Sequence, residues 1–343
     1  IFQSHAASNG SHSLAIGALV THVVALSLWV GGLAGILFIP KDERITALYR
    51  FSVLALWAAI AVVFSGVATA WTRLNNASAW NTQYAYVVIA KVILTIALFA
   101  MGYANRKALA SRDEMRLQEL LRLISVEAMV MTAVVLMGSW LSQIQPPTGD
   151  TSNLTEAQLI VGMPTPPPPS LMNILKLYNP DALMIALLIT AVALYIKGVS
   201  VLKSRGDSWP VGRTIAFASG IALIDFATSG GLGVYALFSF EYHMMAHMLL
   251  GMIAPIGLVL GAPITLALRT LPQGRNSEER GVRALALTAL HSRYSVILTN
   301  PVTALALFDG SLFVLYFTDL FGNLMGNHAG HLLMNIHFIL AGF

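Results

Sequence analysis

The stretch FEYHMMAHMLLGM, Phe240–Met252, sets His243 and His247 at i, i+4. That spacing puts both imidazoles on one helix face, where they can chelate one metal ion. His328 and His331, in NHAGHLLMNIHF, stand at i, i+3, which can do the same. His337 lies about two and a half turns further on. Met244 and Met248 add thioethers one turn apart, whereas Met252 reads as a packing residue. Near the start of the chain His5, His12 and His22 form a looser series. Imidazole with thioether suits copper, Cu(I) in particular. The chain has no cysteine, so thiolate sites and thiol redox chemistry are excluded. Two other readings of the paired histidines stay open. One is axial ligation of a b-type haem, which takes one imidazole from each of two facing helices. The other is an ordinary polar anchor at a membrane surface.

Three more polar residues stand inside apolar runs: Lys91 in VIAKVILT, Asp225 in ALIDFATSG and Asp309 in ALFDGSLF. Ionisable groups in membrane spans are costly and commonly functional. Asp225, Asp309 and His337 have broadly similar depth, which suggests a hydrated polar path leading inward from the histidines. The plainer alternative is buried carboxylates paired for packing. For His22, within its own apolar run, the alternatives are a ligand or one hydrogen bond to a neighbouring helix.

These side chains need helices to hold them, and the composition requires membrane helices. The 343 residues are 56% hydrophobic and 10% charged, with a mean hydropathy of +0.71. A soluble domain carries roughly 25% charged residues. Uncharged runs of about 20 residues recur, and in lipid these must be helical because every backbone polar group needs an internal partner. The expected fold is an all-α, polytopic transmembrane bundle of about nine spans. They fall near 13–39, 48–72, 84–105, 122–144, 181–202, 211–237, 242–268, 295–318 and 328 to the end.

Basic residues concentrate in alternate connectors: KDER, NRKALASRDEMR, KSRGD and RTLPQGRNSEERGVR. Such loops stay in the cytoplasm, so residues 1–12 and the 145–172 segment are expected outside. The net charge of +4 thus sets topology and does not call for nucleic acid. With this orientation all histidines except His291 fall on the outer surface or in the outer half of the membrane.

The run QPPTGDTSNLTEAQLIVGMPTPPPPS, 145–170, breaks the pattern. Consecutive prolines cannot continue a helix and favour an extended linker. The expected organisation is a four-helix module over 1–145, a Pro-rich extracytoplasmic linker over 146–172, and a second module over 173–343. The stretch 171–178 reads as a short interfacial helix. Small residues at packing spacing, Gly31 with Gly35 and Gly257 with Gly261, suggest close helix contacts, and Pro255 and Pro263 suggest bends in the seventh span. The chain is expected to be an excerpt of a longer protein. It begins at Ile1, and its last apolar run of 16 residues makes about 24 Å of helix, short of the ~30 Å hydrocarbon core.

Two family resemblances rest on these motifs. HAASNGSHSLAIGALVTHVVALSLWVGGL, with GVATAW and KVILTIALFAMGYANR, resembles the copper resistance D (CopD) family over roughly 1–145. YIKGVSVLKSRGDSWPVGR, the 240–272 stretch and NHAGHLLMNIHF resemble the membrane-integral cytochrome c oxidase assembly (CtaG) family over 173–343. The resemblance implies a non-enzymatic copper-handling protein of the bacterial cytoplasmic membrane that supports maturation of a haem–copper oxidase. Its implied partners are cytochrome c oxidase or its assembly factors, extracytoplasmic copper carriers and the lipid bilayer. The implied copper residues are His5, His12 and His22 in one module and His243, His247, His328 and His331 in the other. A proton-coupled small-molecule transporter using Asp225 and Asp309 is the last alternative, since no inverted repeat is evident.

Overall fold

A computed structural model describes residues 12–36, 38–40, 43–74, 77–110, 117–144, 155, 161–273, 281–325 and 328–343. His5 lies outside these residues, and so do the side chains of His12 and His328, although both of the latter begin helices.

The chain divides into two compact units, 1–164 and 165–343. The division falls inside the proline-rich segment. Among the described residues six helices are long and apolar enough to cross a membrane, and three shorter apolar helices, Ser125–Leu141, Pro301–Phe317 and Gly330–Gly342, accompany them. Six and three together match the nine spans expected from hydropathy. The protein is a multi-pass helical membrane protein.

The first unit contains α1 (His12–Ile36), α2 (Arg44–Arg73), α3 (Gln83–Ala110) and α4 (Leu117–Leu141). Its core gathers Trp29, Leu33, Val62, Leu98 and Met131, with Trp29 edge-on to Phe99 at 6.2 Å between ring centres. The small-residue expectation shifts here by one position. Among the described residues nothing approaches Gly31 or Gly35, whereas Gly32 lies against the ring of Phe51, where a Cβ would have no room.

The second unit opens with α5 (Leu171–Lys176), the expected short helix, capped by the Ser170 side chain accepting from Asn173 N–H. The linker is tied to this unit, because Tyr235 donates through its hydroxyl to the Pro167 carbonyl at 2.8 Å. Next come α6 (Ala182–Ser204), whose N-cap Asp181 accepts from Leu183 and Met184 N–H, and α7 (Val211–Thr228). The expected sixth span ran to 237; the chain instead leaves α7 at Ser229–Gly230 and restarts as α8 (Gly231–Ala236). No side chain would fit at Gly231, where the backbone of Ile174 presses in, or at Gly233, where that of Thr228 does.

The seventh span is built in pieces: α9 (Phe240–Met248), a π-helical turn over Leu249–Ile253, α10 (Ala254–Leu260) and α11 (Pro263–Thr270). Both prolines explain the breaks. Pro255 has no N–H and clashes with the preceding turn, so the helix widens just before it. Ala262, the residue before Pro263, adopts φ 49° and ψ 49°, which ends α10 and lets α11 restart at Pro263. Gly257 and Gly261 do take close contacts: a Cβ at Gly257 would stand 2.8 Å from the Ala216 carbonyl, and one at Gly261 2.6 Å from Phe217 Cβ. These contacts seat α10 on α7. Beneath them Phe217 stacks on Tyr195 at 4.0 Å, and the Tyr195 hydroxyl donates to the Gly261 carbonyl at 2.9 Å while accepting from Trp209 Nε1 at 3.0 Å.

The connector after α11 holds two short exposed helices, α12 (Val282–Leu290) and α13 (Arg293–Leu298). Then follow α14 (Pro301–Phe317), α15 (Leu320–Met325) and α16 (His328–Gly342). Gly342 abuts the carbonyl of Gly251 so closely that no Cβ would fit. The end of α16 is thereby pinned to the π turn.

Candidate metal centre

His243 and His247 are among the most buried side chains of the second unit, at 2% and 1% exposure. Their helix α9 starts at Ser239, whose carbonyl accepts from His243 N–H at 3.0 Å. The i, i+4 spacing then brings the rings together, with centres 4.2 Å apart and planes tilted by 56°. The third imidazole comes from α16: His331 lies 5.9 Å from His243 between ring centres. Aromatic rings close the group. Phe321 of α15 meets His243 edge-on at 5.1 Å, and Phe338 of α16 packs on His247 at 4.4 Å. The buried Asn335, one turn from His331 on α16, stands beside His247.

The hydrogen bonding is incomplete in an informative way. Tyr316 of α14 holds its hydroxyl 2.8 Å from His247 Nδ1. Nε2 of His243 and Nε2 of His247 are both buried and have no partner of good hydrogen-bond geometry among the described residues, the Asn335 side chain being the polar group nearest in effect to the His247 ring. Buried polar atoms are nearly always satisfied, and an orphaned imidazole nitrogen is a lone pair available to a metal ion. With Nδ1–H donating to the Tyr316 oxygen, His247 Nε2 is that lone pair, in the way outer-shell partners orient metal-bound histidines. The donor set fits copper by type. It does not form a full cage: among the described residues no group of three or more His, Cys, Asp or Glu side chains is arranged to hold a metal ion.

The other expected residues lie elsewhere. Met244 and Met248 are partly buried, each one position past an imidazole and hence about 100° round the helix. His337 is exposed and rests against Phe338 at 5.5 Å, turned away from the buried pair. Asp309 is exposed on α14. Asp225 accepts a hydrogen bond from the Tyr178 hydroxyl at 3.1 Å. Partial burial and the Asp225 carboxylate push the Tyr178 phenol above its ordinary pKa, which keeps it a donor. Among the described residues no hydrogen bond joins Asp225, Asp309 and His337 into the expected path, and each has different surroundings.

In the first unit His22 Nδ1 lies 3.0 Å from the Val62 carbonyl and 3.1 Å from the Ser65 hydroxyl, both on α2. That is the helix-to-helix hydrogen bond weighed as its alternative role. Lys91 of α3 is within electrostatic reach of the ring. Its ammonium occupies space left by Gly138 on α4, where a Cβ would stand 3.2 Å from Nζ.

Tyr316, Phe321, Asn335 and Phe338 carry no local spacing signal linking them to His243. Only the i, i+4 relation of Asn335 to His331 hints that α16 presents more than its histidines.

A bundle of apolar helices around a buried imidazole group defines a polytopic membrane protein with a candidate metal-handling site. Comparison with known proteins divides it as the fold does. Residues 45–141 match the family model described as Copper resistance protein D, and residues 193–343 match that of the cytochrome c oxidase caa3 assembly factor (Caa3_CtaG). The chain therefore joins a CopD-like segment to a CtaG-like segment, and all of α9, α14 and α16 fall in the second match. Among curated proteins, uncharacterized proteins of Mycobacterium bovis and Mycobacterium tuberculosis are each 38% identical over 193 residues. One of Mycobacterium leprae is 36% identical over the same length. Each match covers 56% of this chain and 29% of the relative, so the matched stretch spans less than a third of those proteins. No solved structure matches.

Proposed function

We propose that this protein binds copper within its second unit and passes it on at the outer side of the bacterial cytoplasmic membrane, without catalysis, in support of cytochrome c oxidase maturation. The CopD match over 45–141 supports a link to copper, and the CtaG match over 193–343 supports a link to cytochrome c oxidase assembly. The observation that carries the reading is the pair of buried, unpartnered Nε2 atoms on His243 and His247. Copper here is cargo. Two fixed nitrogens hold it loosely enough to leave, and His331 on the facing helix supplies a third when the ion is present. The π turn directly after His247 gives the helix a place to adjust, as such turns do at functional sites. Extracytoplasmic copper carriers are the proposed donors, and cytochrome c oxidase or its assembly factors the proposed recipients.

The geometry does not favour haem at this group. Axial imidazoles stand on opposite faces of the macrocycle, whereas these rings touch one another and are covered by Phe321 and Phe338.

The test is purification with elemental copper analysis and a visible spectrum. The expected result is copper bound by the native chain and lost in His243→Ala with His247→Ala, together with impaired oxidase maturation in cells carrying that variant. A stoichiometric haem band without copper, or copper retained by the double variant, would overturn the assignment.

A further inference from the structure

On the flank of the second unit α6, α7, α11 and the end of α16 enclose an open groove of about 650 Å³. Its wall runs from Met184 near the start of α6 to Val201 near its end, and down to Thr270 on α11. The lining is apolar with one charged exception, Lys197. Lys197 is exposed, and no carboxylate pairs with it among the described residues. A bare ammonium two turns inside a membrane helix is costly, which calls for an anion that arrives with an apolar body.

The rim below it is basic as well. Arg205, exposed at the end of α6, is held in place by donating to the carbonyls of Arg269 at 2.9 Å and Thr270 at 3.4 Å. Arg269 itself pairs with Asp207 at 3.1 Å, whereas Arg205 has no carboxylate partner among the described residues. From Lys197 back to Met184 the wall rises through about 20 Å of helix, a length suited to one acyl chain. Basic pockets between helices on the cytoplasmic side recognise anionic head groups.

We propose that this groove holds an anionic phospholipid, its acyl chain along α6 and its phosphate between Lys197 and Arg205. The single negative charge of the phosphodiester is attracted by both cations, while the chain covers apolar wall that neighbouring side chains leave open. The occupant is thus selected by charge at one end and by length along the rest.

Native mass spectrometry of the full chain in detergent tests this with phosphatidylglycerol and phosphatidylcholine of identical acyl chains. Phosphatidylglycerol is expected to be retained preferentially. Lys197→Gln is expected to lower that retention about fivefold, equivalent to about 1 kcal/mol for one basic residue at 1.4 kcal/mol per decade. Lys203→Gln removes an exposed lysine of the same helix outside the groove and leaves retention unchanged. Equal retention of the two lipids, equal effects of both substitutions, or no lipid adduct on the full chain would each overturn the proposal.

Discussion

His247 keeps its two ring nitrogens in different surroundings, one against the Tyr316 hydroxyl and one buried without a partner. Outer-shell partners of metal-binding histidines commonly change affinity 10- to 100-fold. Tyr316→Phe is therefore expected to weaken copper binding roughly 10- to 100-fold while leaving both imidazoles in place. A Cu(I) competition titration of the purified variant measures it, and an unchanged affinity would remove Tyr316 from the site. The histidine pair was legible in the sequence because i, i+4 is a local relation. Tyr316 was not, because it stands 69 residues from His247 and only the packing of α14 against α9 brings it there.

At the scale of the element, the seventh span carries the site because it is not one regular helix. The π turn begins two residues after His247 with Pro255 just beyond it, and Ala262, the residue before Pro263, adopts the left-handed region. An L-residue there costs roughly 1–2 kcal/mol, and glycine carries no such penalty. Ala262→Gly is expected to stabilise the protein by about 1 kcal/mol, read as a higher unfolding midpoint in detergent. An unchanged or lower midpoint would mean that packing of the Ala262 methyl outweighs the strain. The prolines announced bends in advance. The widened turn also depends on Gly342 closing against the Gly251 carbonyl, a contact between distant helices that no local pattern encodes.

For the whole molecule, the alternation of basic connectors predicts one orientation. The absence of cysteine makes it directly measurable. Thr165→Cys, exposed at the start of the second unit, is expected to react with an impermeant maleimide on intact cells. Ser208→Cys, in the basic connector after α6, is expected to react only once the membrane is opened. The reverse pattern would put the imidazole group at the cytoplasmic side and end the proposal that copper is received from outside. The groove beside Lys197 belongs to this scale too, since α6, α7, α11 and α16 each supply only part of its wall.

What the sequence determined by itself was the set of relations carried by hydropathy and short spacing. These are the all-helical membrane fold, the approximate place of nine apolar helices, the break at the proline-rich segment and the one-face pairing of His243 with His247. Tertiary structure decided which polar groups share a site. It brought His331, Tyr316, Phe321 and Phe338 to the pair, hydrogen-bonded His22 to α2, and left His337 and Asp309 facing outward. The reason is that depth along a helix can be counted from its ends. The direction in which a side chain points into a bundle is set by which small residues let two helices touch, as Gly220 and Gly257 do.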